Sequence, residues 1–356
     1  MTLKSNAPLP DFPAPKSLRE IFNREVHKAV EDFPELKGRF LFINLPDQQT
    51  VASIEPGRTA IRSQGQLQQI ADDVSERAAQ ARSSLASKIP QLDLNVMAYT
   101  PLPFKMFTGK DQSNEMETMA VFDHELGHLV VGGAFFSKDA CYRETAADAY
   151  AVIRHIQRYG DDSKAIEKAG WRRAFDFVMS GDRGHFTTLA IDEIATLRDK
   201  LDITAMTPDQ TIKLAQRIAL EHTPHFDATD TVSAAFRPVR QAMQGSGDID
   251  VALKMLADIA LASDNAYYTF KIGSRVLKPF LNGEVRSADG TPYKLEGQYW
   301  DNVRAEMAGK TQQLKEDGIL FGMPLKGQPA EEKTAKVIPF PKPADPRFEQ
   351  FKKKLL

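Results

Sequence analysis

The sequence predicts an α+β fold that is mainly helical, with a small sheet near its start and a helical second half. Two observations carry this. Runs with strand character are concentrated in the first hundred residues, whereas from Asn114 onward apolar residues recur mainly at three- and four-residue spacing. The chain has 356 residues, 42% hydrophobic and 26% charged, which suits one large globular domain or two modest ones.

The first hundred residues set up the sheet. Residues 1–16 carry Pro8, Pro10, Pro13 and Pro15 and read as an extended arm. Ser17 to Asp32 reads as a helix, Arg39 to Leu45 as a buried strand and Val51 to Ile54 as a second strand. Leu67, Ile70, Val74, Ala78, Ala81, Leu85 and Ile89 keep helical spacing, which predicts a helix from Gln66 to Ile89. Leu92, Leu94, Val96 and Ala98 then alternate with Asp93, Asn95, Met97 and Tyr99. That period of two predicts a half-buried strand ending at Pro101. Residues 102–113 read as a loop.

The next helix, Glu115 to Val131, opens on Asn114 and Glu117 in capping-box form and closes at Gly132 and Gly133. Met116, Met119, Ala120, Phe122, Leu126, Leu129 and Val130 make it apolar around much of its circumference, so it should be buried. Within it stands His124-Glu125-Leu126-Gly127-His128. Residues four apart lie about 40° apart around a helix, so the two imidazoles aim at one point. Glu125, one step round, reaches a water held there. This is the H-E-x-x-H arrangement of two zinc ligands and a general base. With seven histidines in the chain, it arises by chance in roughly one chain of this length in a hundred. Gly127 costs about 1 kcal/mol against Ala inside a helix, and fits the close approach of a second backbone or a substrate.

A catalytic zinc usually takes a third protein ligand. Arg143 to Ala151 opens a second helix that runs to about Tyr159 and stops at Gly160. Glu144 and Asp148, four apart, share a face. Glu144 is the better third ligand, and Asp148, one turn on, is placed to accept the free N–H of a ligating histidine.

His124-Glu125-Leu126-Gly127-His128 followed by Glu144-x-x-Ala147-Asp148-x-Tyr150-Ala151 resembles the gluzincin group of zinc metallopeptidases, whose pattern is H-E-L-G-H and then E-x-x-A-[D or N]-x-[aromatic or aliphatic]-A. In the related aspzincin pattern an aspartate is the third ligand. Asp148 lacks the Gly-Thr that precedes that aspartate and has its tyrosine at 150, two residues on rather than three, which favours Glu144. The resemblance implies one Zn2+ ion on His124, His128 and Glu144, with Glu125 activating water and a peptide or protein as substrate. It also implies a zincin-like catalytic core over residues 17–160, completed by a mainly helical part over 161–326. In gluzincins an edge strand beside the zinc binds the peptide by strand addition, which leaves residues 92–100 two readings: that role, or a plain sheet strand. Two alternatives stand beside the peptidase: a non-catalytic zinc-binding interaction protein, and a zinc hydrolase acting on a non-peptide amide. An intact Glu125 argues against the first, since metal binding alone needs no base.

The second half reads as helices at Asp161–Ala169, Trp171–Met179, His185–Leu201, Thr207–His222, Thr229–Gln244 and Ile249–Ser263, with a turn at Ser180–Gly184 and a hairpin at Ser287–Leu295. Thr207-Pro208-Asp209-Gln210 combines a cap, a first-turn proline and a capping-box glutamine. Tyr142, Tyr150, His155, His185, His222, His225, Tyr267 and Tyr268 are candidate oxyanion donors. Residues 327–356, rich in Pro and Lys, read as a flexible tail.

Composition narrows the partners. Lys plus Arg is 46 and Asp plus Glu 48, a net charge of −2, which gives no global attraction to nucleic acid. The one cysteine, Cys141, reads as a small buried hydrophobe and excludes an intrachain disulfide or a cysteine zinc site. The N-terminus lacks the apolar stretch of a secretory signal, and no run of about 18 apolar residues occurs. A cytoplasmic protein without a transmembrane segment is expected.

Overall fold

The computed structural model describes residues 17–81, 83–100, 114–131, 139–160, 163–224, 226–245, 248–262, 266–286 and 291–316. The expected arm, the 102–113 loop, the Gly132-Gly133 stop, His225 and the tail lie outside the described residues. Backbone contacts divide the chain into two compact units, Met1–Val131 with Met206–Ile212, and Gly132–Ala205 with Lys213–Leu356.

The first unit is a four-stranded mixed sheet covered on both faces. Helix α1 (Leu18–Asp32) starts on a capping box, with Ser17 and Glu20 each satisfying the other's backbone N–H. Strands β1 (Arg39–Asn44) and β2 (Gln49–Ile54) form an antiparallel hairpin. Helix α2 (Gln64–Ala81) crosses over to β3 (Leu85–Ile89) and β4 (Leu94–Tyr99). The strand order is β2-β1-β4-β3, with β4 parallel to β1 and antiparallel to β3. Alternate residues of β1 and β4 (Leu41, Ile43, Leu94, Val96, Ala98) pack on Leu67, Ala71, Val74 and Ala78 of α2.

Three expectations about this unit are corrected. The helix expected to reach Ile89 ends at Ala81, and Leu85–Ile89 is strand. Leu85 and Ile89 are four apart, and positions four apart share a face in a strand as well as in a helix, so their spacing does not discriminate. Pairing with β4 decides the matter, anchored where Ser84 Oγ donates to Thr100 O (2.9 Å) and accepts from Thr100 N (2.8 Å). Strand β4 is buried at all six positions, because Met97 and Tyr99 face helices on the side expected to be wet. Being paired on both sides, β4 has no free edge, so residues 94–99 cannot take a peptide by strand addition; among the described residues the sheet's edges are β2 and β3.

The second unit is helical: α4 (Ala140–Tyr159), α5 (Ser163–Ser180), α6 (Thr188–Leu197), the greater part of α7 (Pro208–His222), α8 (Phe226–Ala235), α9 (Arg237–Gly245), α10 (Ile249–Leu261), α11 (Ala266–Leu281) and α12 (Gln298–Glu316). Phe177, Phe186, Phe236, Leu253, Leu256, Val276 and Trp300 belong to its core. The two segments expected around Gly170 form the single helix α5. Gly170 sits where the Arg275 guanidinium crosses, close enough that a side chain there would collide with it. The single helix expected over Thr229–Gln244 is split at Phe236, just ahead of Pro238, whose ring nitrogen cannot donate the i→i−4 bond. Helices α11 and α12 have no counterpart in the sequence-level reading. Pro279 interrupts the pattern of α11, and α12 has little apolar contrast between its faces. Thr207 and Gln210 do close their capping box at α7, at 2.9 and 3.3 Å. Ser287–Asp289 and Gly290 of the expected hairpin are outside the described residues; its flanks meet where Tyr293 N donates to Val285 O. Among the described residues no helix is long and apolar enough to cross a membrane.

Candidate metal centre

The H-E-x-x-H segment lies on α3 (Asn114–Val130), packed on the sheet of the first unit. Phe122 meets Phe22 of α1 and Phe42 of β1, with ring centroids 5.9 and 5.7 Å away, and Tyr99 of β4 shares a hydrogen bond with Thr118 (3.2 Å). These contacts fix the rotation of α3 about its axis. The described part of the helix opens at Asn114, and the capping box expected on Asn114 and Glu117 involves a side chain outside what is described.

On α3, His124 Nε2 and His128 Nε2 approach to 3.2 Å, with the rings near perpendicular. Two nitrogens bound at about 2.05 Å to a tetrahedral zinc would stand about 3.3 Å apart. The imidazole pair is therefore spaced as a zinc site needs. Both histidines are half-buried, whereas Glu125 between them is buried, with 8% of its surface exposed.

Helix α4 is capped by Asp139, whose side chain accepts from Cys141 N (2.8 Å), and stopped by Gly160 at φ 75. That positive φ suits glycine and ends the helix cleanly. Glu144 stands in its second turn. His124, His128 and Glu144 each offer one ligand atom that a metal ion could take; the two histidines belong to the first unit and Glu144 to the second. Two imidazoles and one carboxylate are a donor set that catalytic zinc uses.

Asp148, one turn beyond Glu144, has no exposed surface. Arg173 Nη2 of α5 donates to its Oδ1 (2.6 Å), and Thr187 Oγ1, just before α6, donates to its Oδ2 (2.5 Å). Burial works against the Arg173 charge, but the Asp148 carboxylate outweighs it, with Glu144 adding to the effect, so the guanidinium is held more basic than usual. Reading the sequence alone misses Arg173 and Thr187, which lie 25 and 39 residues from Asp148. One signal was available: Arg173 falls four residues from both Ala169 and Phe177, each fully buried, so it lies on the inner face of its helix.

Cys141 is a buried free thiol in the helical core, and burial pushes its pKa up to about 12. Among the candidate oxyanion donors, Tyr150 is fully enclosed in α4, His155 packs on Tyr159, and burial raises the Tyr142 hydroxyl. His185 approaches Ser180 Oγ at 3.4 Å, and Tyr268 sits edge-on to both Phe186 and Tyr267.

His222 is buried 3.9 Å from the buried Glu193, too far for a hydrogen bond. Burial drives both towards their neutral forms, lowering His222 from its ordinary 6.5 and raising Glu193 from its ordinary 4.5, so burial rather than ion pairing governs them. The two act with opposite signs. Just below pH 6.5 the unfolded chain protonates this histidine and the folded chain does not, so stability falls as pH falls until the lowered folded value is passed. Ionised Glu193 is penalised in the fold, so its contribution improves as pH falls through its raised folded value. Comparing His222→Gln with the parent isolates the histidine. The parent's urea midpoint should fall relative to the variant's between about pH 6.5 and 5, and a constant difference would refute the assignment.

Comparison with protein-family models, with curated proteins and with solved structures gives no match.

Proposed function

We propose that this chain is a zinc-dependent metallopeptidase of gluzincin type with a zincin-like catalytic core, acting in the cytoplasm on a peptide or protein. The observation that supports this most is the approach of His124 Nε2 and His128 Nε2 to 3.2 Å, with the buried Glu125 between them in sequence and Glu144 a further residue that could take the metal. When bound, zinc lowers the pKa of a water from 15.7 towards about 7 and polarises a carbonyl oxygen. His124 and His128 would hold the ion through their imidazoles, and Glu144 would supply the third ligand. Glu125 takes the proton from the attacking water and returns it to the leaving nitrogen. A carboxylate has about four acceptor sites, so Asp148, already held by Arg173 and Thr187, retains capacity to accept the N–H of a ligating imidazole. We assign it that orienting role.

The test is metal analysis of the purified full chain combined with digestion of a broad peptide library. The expected result is one zinc per chain and cleavage of peptide bonds, lost on chelation and restored by added Zn2+. Zinc without cleavage of any peptide would replace the peptidase by the interaction protein or the non-peptide amidohydrolase. A chain that binds no zinc overturns the whole reading.

A further inference from the structure

We infer that Gly184 is a positioning residue for Glu144: its missing side chain leaves the room in which the third ligand reaches the metal. This rests on the metallopeptidase reading and adds a residue to it. Gly184 is the middle residue of a single 3-10 turn, Arg183–His185, which packs on α4. A Cβ at Gly184 would stand 3.1 Å from Glu144 Cγ, closer than carbon atoms normally rest.

Conformation does not explain this glycine. Its φ lies outside the left-handed region, so the backbone would accept alanine. What an added methyl would meet is the ligand side chain, together with Asp182 Oδ1 at 3.4 Å.

Several contacts hold the turn. Asp182 Oδ1 accepts from Gly184 N (2.9 Å), and Arg183 is paired with Asp230 of α8. Phe186, directly after the turn, is fully buried and stacks on Phe177 with centroids 4.6 Å apart. On the other side, α4 is locked one turn from Glu144 by the buried contacts of Asp148 with Arg173 and Thr187. With turn and helix both held by these contacts, the group most free to give is the flexible Glu144 side chain, and giving takes it away from the position in which it would ligate.

The experiment measures Zn2+ affinity by competition with a chromophoric chelator on the full chain, beside a thermal melt of the zinc-free protein. Glu144→Ala and the double variant are included to close a double-mutant cycle. Gly184→Ala should weaken zinc binding by about 10- to 100-fold, the range seen when groups supporting a ligand are lost, and leave the zinc-free melt near that of the parent. In the Glu144→Ala background the same substitution should cause no further loss. Affinity within about twofold of the parent in a folded Gly184→Ala chain, or an equal loss in both backgrounds, overturns the inference. If Gly184→Ala alone abolishes the melting transition, Glu144→Ala removes the obstructing side chain and should restore it; failure to restore it also overturns the inference. A parent that binds no zinc defeats the metallopeptidase reading instead, so the two failures are distinct.

Discussion

Glu125→Gln should retain one zinc per chain and lose peptide hydrolysis by about 10²- to 10⁴-fold, the contribution typical of a positioned general acid–base. The substitution is close to isosteric, and the packing of Phe122, Met119 and Leu126 that seats α3 is untouched. His124 and His128 keep their 3.2 Å approach, so the metal should remain. What disappears is the carboxylate that accepts a proton: an amide neither takes the proton from the water nor delivers it to the leaving nitrogen. Metal content and turnover must therefore separate. An unchanged rate would remove Glu125 from the mechanism, and simultaneous loss of zinc would make it a ligand or a structural residue.

Glu144→Ala should weaken zinc binding by more than about 100-fold, because losing a ligand exceeds the 10- to 100-fold effect of losing a group that merely supports one. Two imidazoles from one helix turn are left to hold the ion. The fold should survive, since Glu144 is only half-buried and alanine is the best helix former. Circular dichroism and the zinc-free melt check that, and competition with a chelator reads the affinity. Normal zinc content would move the third ligand elsewhere, and the nearest alternative by sequence, Asp148, is already held by Arg173 and Thr187.

The sequence by itself determined what depends on neighbours within about four residues. The imidazole pair of His124 and His128, the capping box of Thr207 and Gln210, and the stop at Gly160 were legible because each is a contact within one helical turn. The mainly helical class followed from apolar periodicity for the same reason. Where two structures share a period, the sequence was mute: Leu85 and Ile89 fit a helix and a strand equally, and only pairing with β4 made them strand.

The tertiary structure decided what depends on distant partners. The interior position of β4 came from pairing with β1 and β3, and the need for a residue without a side chain at Gly170 came from Arg275, 105 residues further along the chain. The Arg173–Asp148–Thr187 cluster and the approach of Gly184 to Glu144 belong to the same group. Apart from the β3–β4 pairing, whose partners lie 5 to 13 positions apart, each joins residues between 25 and 105 positions apart. Such contacts leave no local period, because which distant residues meet is settled by packing the whole chain at once.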